Sequence, residues 1–258
     1  MTSLPAEAGK KKLGLLIDLD TCVGCHACAT NCKEWNTSGH SGPLTDINAY
    51  QAEQRGVWFN RIFTYEAGGC GPDGKTVHFP KNCLHCEFPE CVTVCPTGAS
   101  YKRAEDGIVL VDAEKCIGCK LCSWACPYGA REYDEIEGVM KKCTLCIDKI
   151  YNENLAVEER VPACVSTCPS NARHFGDFAD PESNVSKLSR ERGGFQLMPE
   201  TGYQPVSRYL PPREENRVSK TEPVSLARLT EASGAGGKGG KKAQAGKFLN
   251  WVDSVLSR

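Results

Sequence analysis

Apolar residues in this chain come in short bursts between polar stretches. Leu13-Gly14-Leu15-Leu16-Ile17 leads into Asp18 and predicts a short strand over residues 13–19. Residues 56–65, rich in β-branched and aromatic side chains, predict a second strand. A third, at residues 76–79, follows the Gly-rich turn cluster at 68–74, and a fourth spans residues 107–112. A helix-like stretch lies around residues 148–154. Residues 36–54 are polar and rich in Gly, Ser and Asn, a loop by composition. Residues 1–12 carry no turn or periodicity signal and read as a disordered leader. No run of eighteen or more apolar residues occurs, so the pattern predicts no transmembrane helix.

Past residue 176 the pattern changes. Residues 177–230 are polar and punctuated by Pro181, Pro199, Pro205, Pro211, Pro212 and Pro223, which predicts an extended arm lying on another surface. Residues 231–247 form a flexible Gly/Lys/Ala linker. Phe248, Leu249, Trp251, Val252, Val255 and Leu256 then fall at near-helical spacing. A tail helix this short needs a partner surface, either the protein's own core or a neighbour.

Composition changes the picture at one residue type. The chain has 258 residues and 17 Cys. Sixteen of these fall into four groups: Cys22, Cys25, Cys28 and Cys32; Cys83, Cys86, Cys91 and Cys95; Cys116, Cys119, Cys122 and Cys126; and Cys143, Cys146, Cys164 and Cys168. Cys70, alone in the turn cluster, is a bystander. The first and third groups read C-x2-C-x2-C-x3-C, the run that holds cubane iron–sulfur clusters, in which the last Cys serves a second cluster. Disulfides suit small secreted chains better than this one. Zinc ribbons use widely separated Cys pairs, whereas here compact runs carry a third Cys, and Pro follows three of the four terminal Cys. Sixteen ligands are the number for four [4Fe–4S] clusters.

The groups also repeat. Ile17-Asp18-x3-Cys22-Val23-Gly24-Cys25 matches Val111-Asp112-x3-Cys116-Ile117-Gly118-Cys119. Likewise Cys91-Val92-x2-Cys95-Pro96-Thr97-x-Ala99 matches Cys164-Val165-x2-Cys168-Pro169-Ser170-x-Ala172. The duplication leaves two schemes open: sequential pairing of groups, or one pair nested inside the other, with residues 67–137 as an inserted lobe.

Other chemistry is thin. A net charge of −1 gives no basic footprint for nucleic acid. The apolar stretch after Lys10-Lys11-Lys12 is too short for a secretory core and no twin-arginine pair precedes it, so no export signal is expected. No nucleophile motif, phosphate loop or dinucleotide fingerprint is present, and no small-molecule substrate site is expected. His26, His40, His78, His85 and His174 are isolated and read as structural or solvent-facing. Trp124, inside the third group, reads as packing filler that could shield a cluster from water.

The cysteine pattern, with Thr21-Cys22-Val23-Gly24-Cys25, Cys95-Pro96-Thr97-Gly98-Ala99, Cys126-Pro127-Tyr128-Gly129-Ala130 and Lys142-Cys143, resembles the four-cluster electron-transfer subunit of the dimethyl-sulfoxide-reductase family of molybdenum oxidoreductases. The resemblance covers residues 13–178. It implies an α+β fold of two ferredoxin-like lobes, one inserted in the other: residues 13–66 plus 138–178, and residues 67–137. An arm and linker at 179–247 and a tail helix at 248–258 would follow. It implies the nested pairing, with clusters on Cys22, Cys25, Cys28 and Cys168; on Cys143, Cys146, Cys164 and Cys32; on Cys116, Cys119, Cys122 and Cys95; and on Cys83, Cys86, Cys91 and Cys126. Because Cys119 is kept where some relatives have Trp and a [3Fe–4S] cluster, four cubanes are implied. The resemblance also implies a non-catalytic subunit on the cytoplasmic side of the inner membrane. There the Cys22 cluster would face a molybdopterin catalytic subunit, and the Cys83 cluster a quinone-reactive membrane anchor. Arg208-Tyr209-Leu210-Pro211-Pro212-Arg213 and the long tail are similar to the sulfite-oxidising branch. Sulfoxide or polysulfide/thiosulfate reduction, or a free-standing polyferredoxin, are the alternatives.

Overall fold

The computed structural model describes residues 3–7, 9–36, 57–67 and 75–213. Cys70, His40, the loop after residue 36, the linker and the expected tail helix lie outside the described residues. In chain order the elements are β1 (Leu13–Asp18), α1 (Ala27–Asn36), β2 (Asn60–Ala67), β3 (Lys75–Asn82), α2 (Glu90–Thr93), β4 (Ser100–Lys102) and β5 (Val109–Val111). There follow α3 (Leu121–Trp124), β6 (Glu132–Asp134), β7 (Val139–Lys141), α4 (Ile147–Ile150), α5 (Ala163–Ser166), β8 (Arg173–Asp177), α6 (Asn184–Glu191) and β9 (Arg208–Leu210).

β1 is the hub. Leu15, Leu16 and Ile17 are fully buried, so both faces of this strand are covered, and both of its edges are paired as well. On one edge β8 runs antiparallel, with Leu15 opposite Phe175 and Ile17 opposite Arg173. On the other, β9 runs parallel, with Ile17 opposite Tyr209. Three antiparallel pairs, β2–β3, β4–β5 and β6–β7, complete the described strands. β4–β5 and β1–β8 occupy equivalent places in the repeat: β5 and β1 each lead into a C-x2-C-x2-C run, and β4 and β8 each follow a Cys-Pro step. The first of these pairs is local in sequence; the second joins residues some 160 positions apart, Leu13 and Asp177.

Between strands, the cysteine runs fold into short turns. α2, α3 and α5 have four residues each, and each carries one cysteine of its group. α1 is longer, and its i, i+4 spacing puts Cys28 and Cys32 together on a buried side. Gly24 and Gly118, equivalent in the repeat, both adopt φ +66°, which glycine reaches without strain. A Cβ at Gly118 would collide with the Gly138 carbonyl oxygen in the β6–β7 turn, and one at Gly24 with the His78 ring.

Two expectations change here. The leader is tied down where it is described: Ser3 Oγ donates to Gly98 O at 3.1 Å and Ser3 O accepts from Lys102 N at 3.2 Å. The described part of the expected arm, up to residue 213, is built into the body. Ser183 Oγ caps α6 by accepting from Ser186 N, and α6 lays Val185 and Leu188 against Leu16, Phe178 and Leu210. Tyr209 stacks on Phe79 with centroids 4.7 Å apart and donates its hydroxyl to Pro80 O at 2.8 Å. Arg192 pairs with the buried Asp18 at the end of β1. Pro-rich composition hid a short helix and a strand that have no core of their own but complete that of β1.

Candidate metal centres

The sixteen described cysteines gather in four neighbourhoods. Cys22 and Cys25, from the loop between β1 and α1, and Cys28, in the first turn of α1, line a cavity with Cys168, which follows α5. Cys116, Cys119 and Cys122, before and within α3, line a second with Cys95, which follows α2. Burial pushes the Cys32 thiol well up, and the charges of Cys143, Cys164 and Cys146 push it further. Cys86 is raised in the same way by burial and then by Cys83, Cys126 and Cys91. Each neighbourhood therefore draws three cysteines from one sequence group and one from another.

Within them the sulfurs receive hydrogen bonds. Amides donate to Cys95 from Ser100 (3.4 Å), to Cys116 from Met140 (3.3 Å), to Cys168 from Ala172 (3.3 Å) and to Cys146 from Ala163 (3.4 Å). Asn36 Nδ2 lies 3.6 Å from both Cys32 and Cys146 Sγ. Bonds of this kind favour the thiolate. At Cys95 those from the Ser100 amide and Thr97 outweigh burial and hold the thiol below its ordinary range. Deeper thiols go the other way: burial lifts Cys91 and Cys164 to about 11 and Cys143 to about 12. A buried thiolate is stable there only with an iron or another cation beside it.

These surroundings fit [4Fe–4S] clusters. Among the described residues no three His, Cys, Asp or Glu side chains converge closely enough for a single ion; the quartets surround a space instead. Among the described residues, buried donors also remain unanswered around them: Arg131 Nε and Nη1, Arg173 Nε and His85 Nε2 have no hydrogen-bond partner there. Such orphans suit the sulfides and thiolates of a bound cluster. When bound, each cluster supplies a one-electron redox centre.

Sequence reasoning missed those donors. Arg131 and Arg173 each stand five residues after a terminal Cys, Cys126 and Cys168, so the repeat carried a signal for them. Arg131 Nη2 donates to Cys91 Sγ at 3.0 Å and to Ser100 Oγ at 2.7 Å. His85 is fully buried between Cys83 and Cys86, and its Nδ1 accepts from Val109 N at 3.1 Å, which leaves the proton on Nε2. It is therefore structural, as expected, but not remote from the cysteines.

Burial and exposure bear on two further expectations. They speak against the Cys83 set as an outer end. Cys83 is buried and its charge acts on Cys143, so it adjoins the Cys143 set in the interior. Exposure singles out the other two sets: Cys25 and Cys119 are exposed, as are Val23 and Ile117 beside them. Of the Cys83 and Cys116 sets, it is the latter that has an exposed cysteine. Trp124, moreover, is 87% exposed and shields nothing within the chain.

Four cysteine neighbourhoods of this construction define an iron–sulfur protein of the ferredoxin type, and the 4Fe-4S dicluster domain matches twice, over residues 75–178 and 21–100. The sequence is 63% identical over 218 residues to the B subunit of sulfite dehydrogenase from Allochromatium vinosum, covering 84% of this chain and 90% of that one. The B component of the anaerobic dimethyl sulfoxide reductase of Escherichia coli is 38% identical, over 63% of this chain and 72% of its own. The B subunit of tetrathionate reductase from Salmonella typhimurium is 34% identical, over 78% and 73%. The protein belongs to this family of B-type iron–sulfur subunits of dimethyl sulfoxide reductase-like oxidoreductases, whose role is electron transfer.

Proposed function

We propose that the chain carries four [4Fe–4S] clusters and relays electrons between a molybdopterin catalytic subunit and a quinone-reactive membrane anchor, in the oxidation of sulfite. The ligand sets are Cys22, Cys25, Cys28 and Cys168; Cys32, Cys143, Cys146 and Cys164; Cys83, Cys86, Cys91 and Cys126; and Cys95, Cys116, Cys119 and Cys122. One observation carries this: each described neighbourhood takes its fourth cysteine from a different group, as ferredoxin pairs do. The nested lobes follow, with β1–β8 closing the outer lobe and β4–β5 the inner.

Electrostatic neighbours support the order Cys22 set, Cys143 set, Cys83 set, Cys116 set: Cys28 acts on Cys164, and Cys83 on Cys143. The two ends are the partner faces. Around the Cys116 set Ile117, Leu121 and Trp124 are all exposed, an apolar rim suited to the membrane anchor, which leaves the Cys22 end to the catalytic subunit. That assignment makes the chain peripheral; among the described residues no helix is long and apolar enough to cross a membrane. Sulfite rests on the 63% identity to the Allochromatium protein over 90% of its length.

Anaerobic purification followed by iron and acid-labile sulfide analysis tests the cluster content. About sixteen iron per chain is expected for four cubanes, and a colourless zinc protein would end the proposal. Assay of the intact complex with sulfite, against sulfoxide and polysulfide, tests the substrate.

A further inference from the structure

Arg131 is 2% exposed and Lys142 and Arg173 are each 3% exposed. A buried cation is costly unless an anion answers it. Lys33 and Lys102, also buried, have nearby carboxylates in Glu132 and Glu87. Among the described residues none of the other three lies within ion-pair distance of a carboxylate. Thiols answer them instead. Arg131 bonds Cys91 and feels the charges of Cys91, Cys122 and Cys83. Arg173 feels Cys164, Cys28 and Cys32, while its Nη2 is held by Asn60 Oδ1 at 2.6 Å. Lys142 acts on Cys143 and on Cys91, and its Nζ is tethered to the Cys143 carbonyl.

Each cation therefore acts on two of the cysteine sets, and no two act on the same pair. Arg131, bonded to Cys91, also lines the cavity of the Cys116 set, and Arg173 lines that of the Cys22 set while acting on Cys164. Lys142, tethered beside Cys143, acts on Cys91 of the Cys83 set. We propose that these residues are three positioning charges, one in each gap of the row, and that each raises the reduction potential of both clusters flanking its gap. The reason is elementary: adding an electron makes a cluster more negative, and a fixed cation in a poorly solvated gap stabilises that state. Arginine keeps its proton throughout, and its fork reaches both sides of a gap from one planar group. Asn60 and Ser100 hold the guanidinium groups of Arg173 and Arg131 without neutralising them. This proposal rests on the four-cluster reading.

The test is redox potentiometry followed by electron paramagnetic resonance on the intact complex. It compares wild type with Arg131→Gln, Arg131→Lys and Lys142→Gln, with iron and sulfide measured on each. Arg131→Gln should weaken reduction of the two clusters on the Cys116 and Cys83 sets at least tenfold, about 59 mV each for one electron, and leave the other two in place. Lys142→Gln should move the Cys83 and Cys143 sets. Arg131→Lys, which keeps the charge, should restore most of the shift. A shift of one cluster alone, of all four alike, or of equal size in Arg131→Lys would overturn the proposal. Wild-type protein lacking about sixteen iron would refute the four-cluster reading itself; full clusters with unmoved potentials would refute only the row of charges. If Arg131→Gln sheds iron, Lys142→Gln decides, and loss of iron from all three variants overturns the proposal by showing a demand for shape rather than charge.

Discussion

Replacing Gly118 by Ala separates two costs that this backbone position combines. Gly118 lies between Cys116 and Cys119 at φ +66°, and an alanine there forfeits about 1–2 kcal/mol for left-handed backbone alone. Its Cβ would also press into the carbonyl oxygen of Gly138 and come within 3.0 Å of Tyr133 Cε2. Gly138 belongs to the β6–β7 turn, where backbone cannot swing aside as a side-chain tip can. Overpacking of this kind adds about 1–3 kcal/mol. Gly193 has the same φ, +66°, with nothing within 4 Å of an added Cβ, so Gly193→Ala carries the backbone cost only. The difference between the two variants, about 1–3 kcal/mol, is roughly a five- to 150-fold ratio in stability. Because bound clusters make unfolding irreversible, the useful assay is the half-life of cluster absorbance at raised temperature under anaerobic conditions. Gly118→Ala should bleach several-fold faster than Gly193→Ala, with Gly24→Ala between them because the His78 ring can yield. Equal half-lives for Gly118→Ala and Gly193→Ala would refute the reasoning.

Three other outcomes are expected. Burial, opposed by Asp18 and assisted by Arg192, holds His174 below its ordinary pKa. The unfolded chain takes up that proton near pH 6.5 and the folded chain only lower. His174 therefore contributes stability that is complete above about pH 6.5 and is lost as pH falls through the folded value. His174→Gln should flatten the pH dependence of the half-life over that window, and an unaltered slope would contradict the assignment. Tyr209→Phe strands the buried Pro80 carbonyl that its hydroxyl now serves, at a cost of about 1–3 kcal/mol; a half-life equal to wild type would show that water replaces the bond. Trp124→Asp should weaken recovery of the complex from membranes while leaving iron content intact, and undiminished recovery would remove Trp124 from the proposed anchor face.

The cysteine runs and β1 were legible because each obeys a local rule: fixed ligand spacing, and an apolar stretch that stops at a charge. β2 and β3 were anticipated from β-branched and aromatic content, though β2 starts and ends later than expected, at Asn60–Ala67, and β3 is longer, Lys75–Asn82. What escaped was set by contacts distant in sequence. α6 gains its stability by placing Val185 and Leu188 on Leu16 and Leu210, which no reading of a Pro-rich segment reveals. The order of the cysteine sets depends on which loop lies beside Cys143, and spacing carries no information about that. Arg131 and Arg173 sit at equivalent places in the repeat and still escaped, because sequence cannot report that thiolates replace the carboxylates they lack.

The placing of β1 has a consequence for synthesis. Of the described strands β1 is made first, yet both of its edges are completed by the two described strands made last, β8 and β9. The β4–β5 hairpin, by contrast, closes within twelve residues, Ser100 to Val111. An apolar strand, Leu15-Leu16-Ile17, must therefore wait with open edges while about 160 further residues are made. Maturation would proceed from the middle of the chain outwards, and a nascent chain arrested before residue 173 would present a sticky, unclosed N-terminal strand for chaperones to hold.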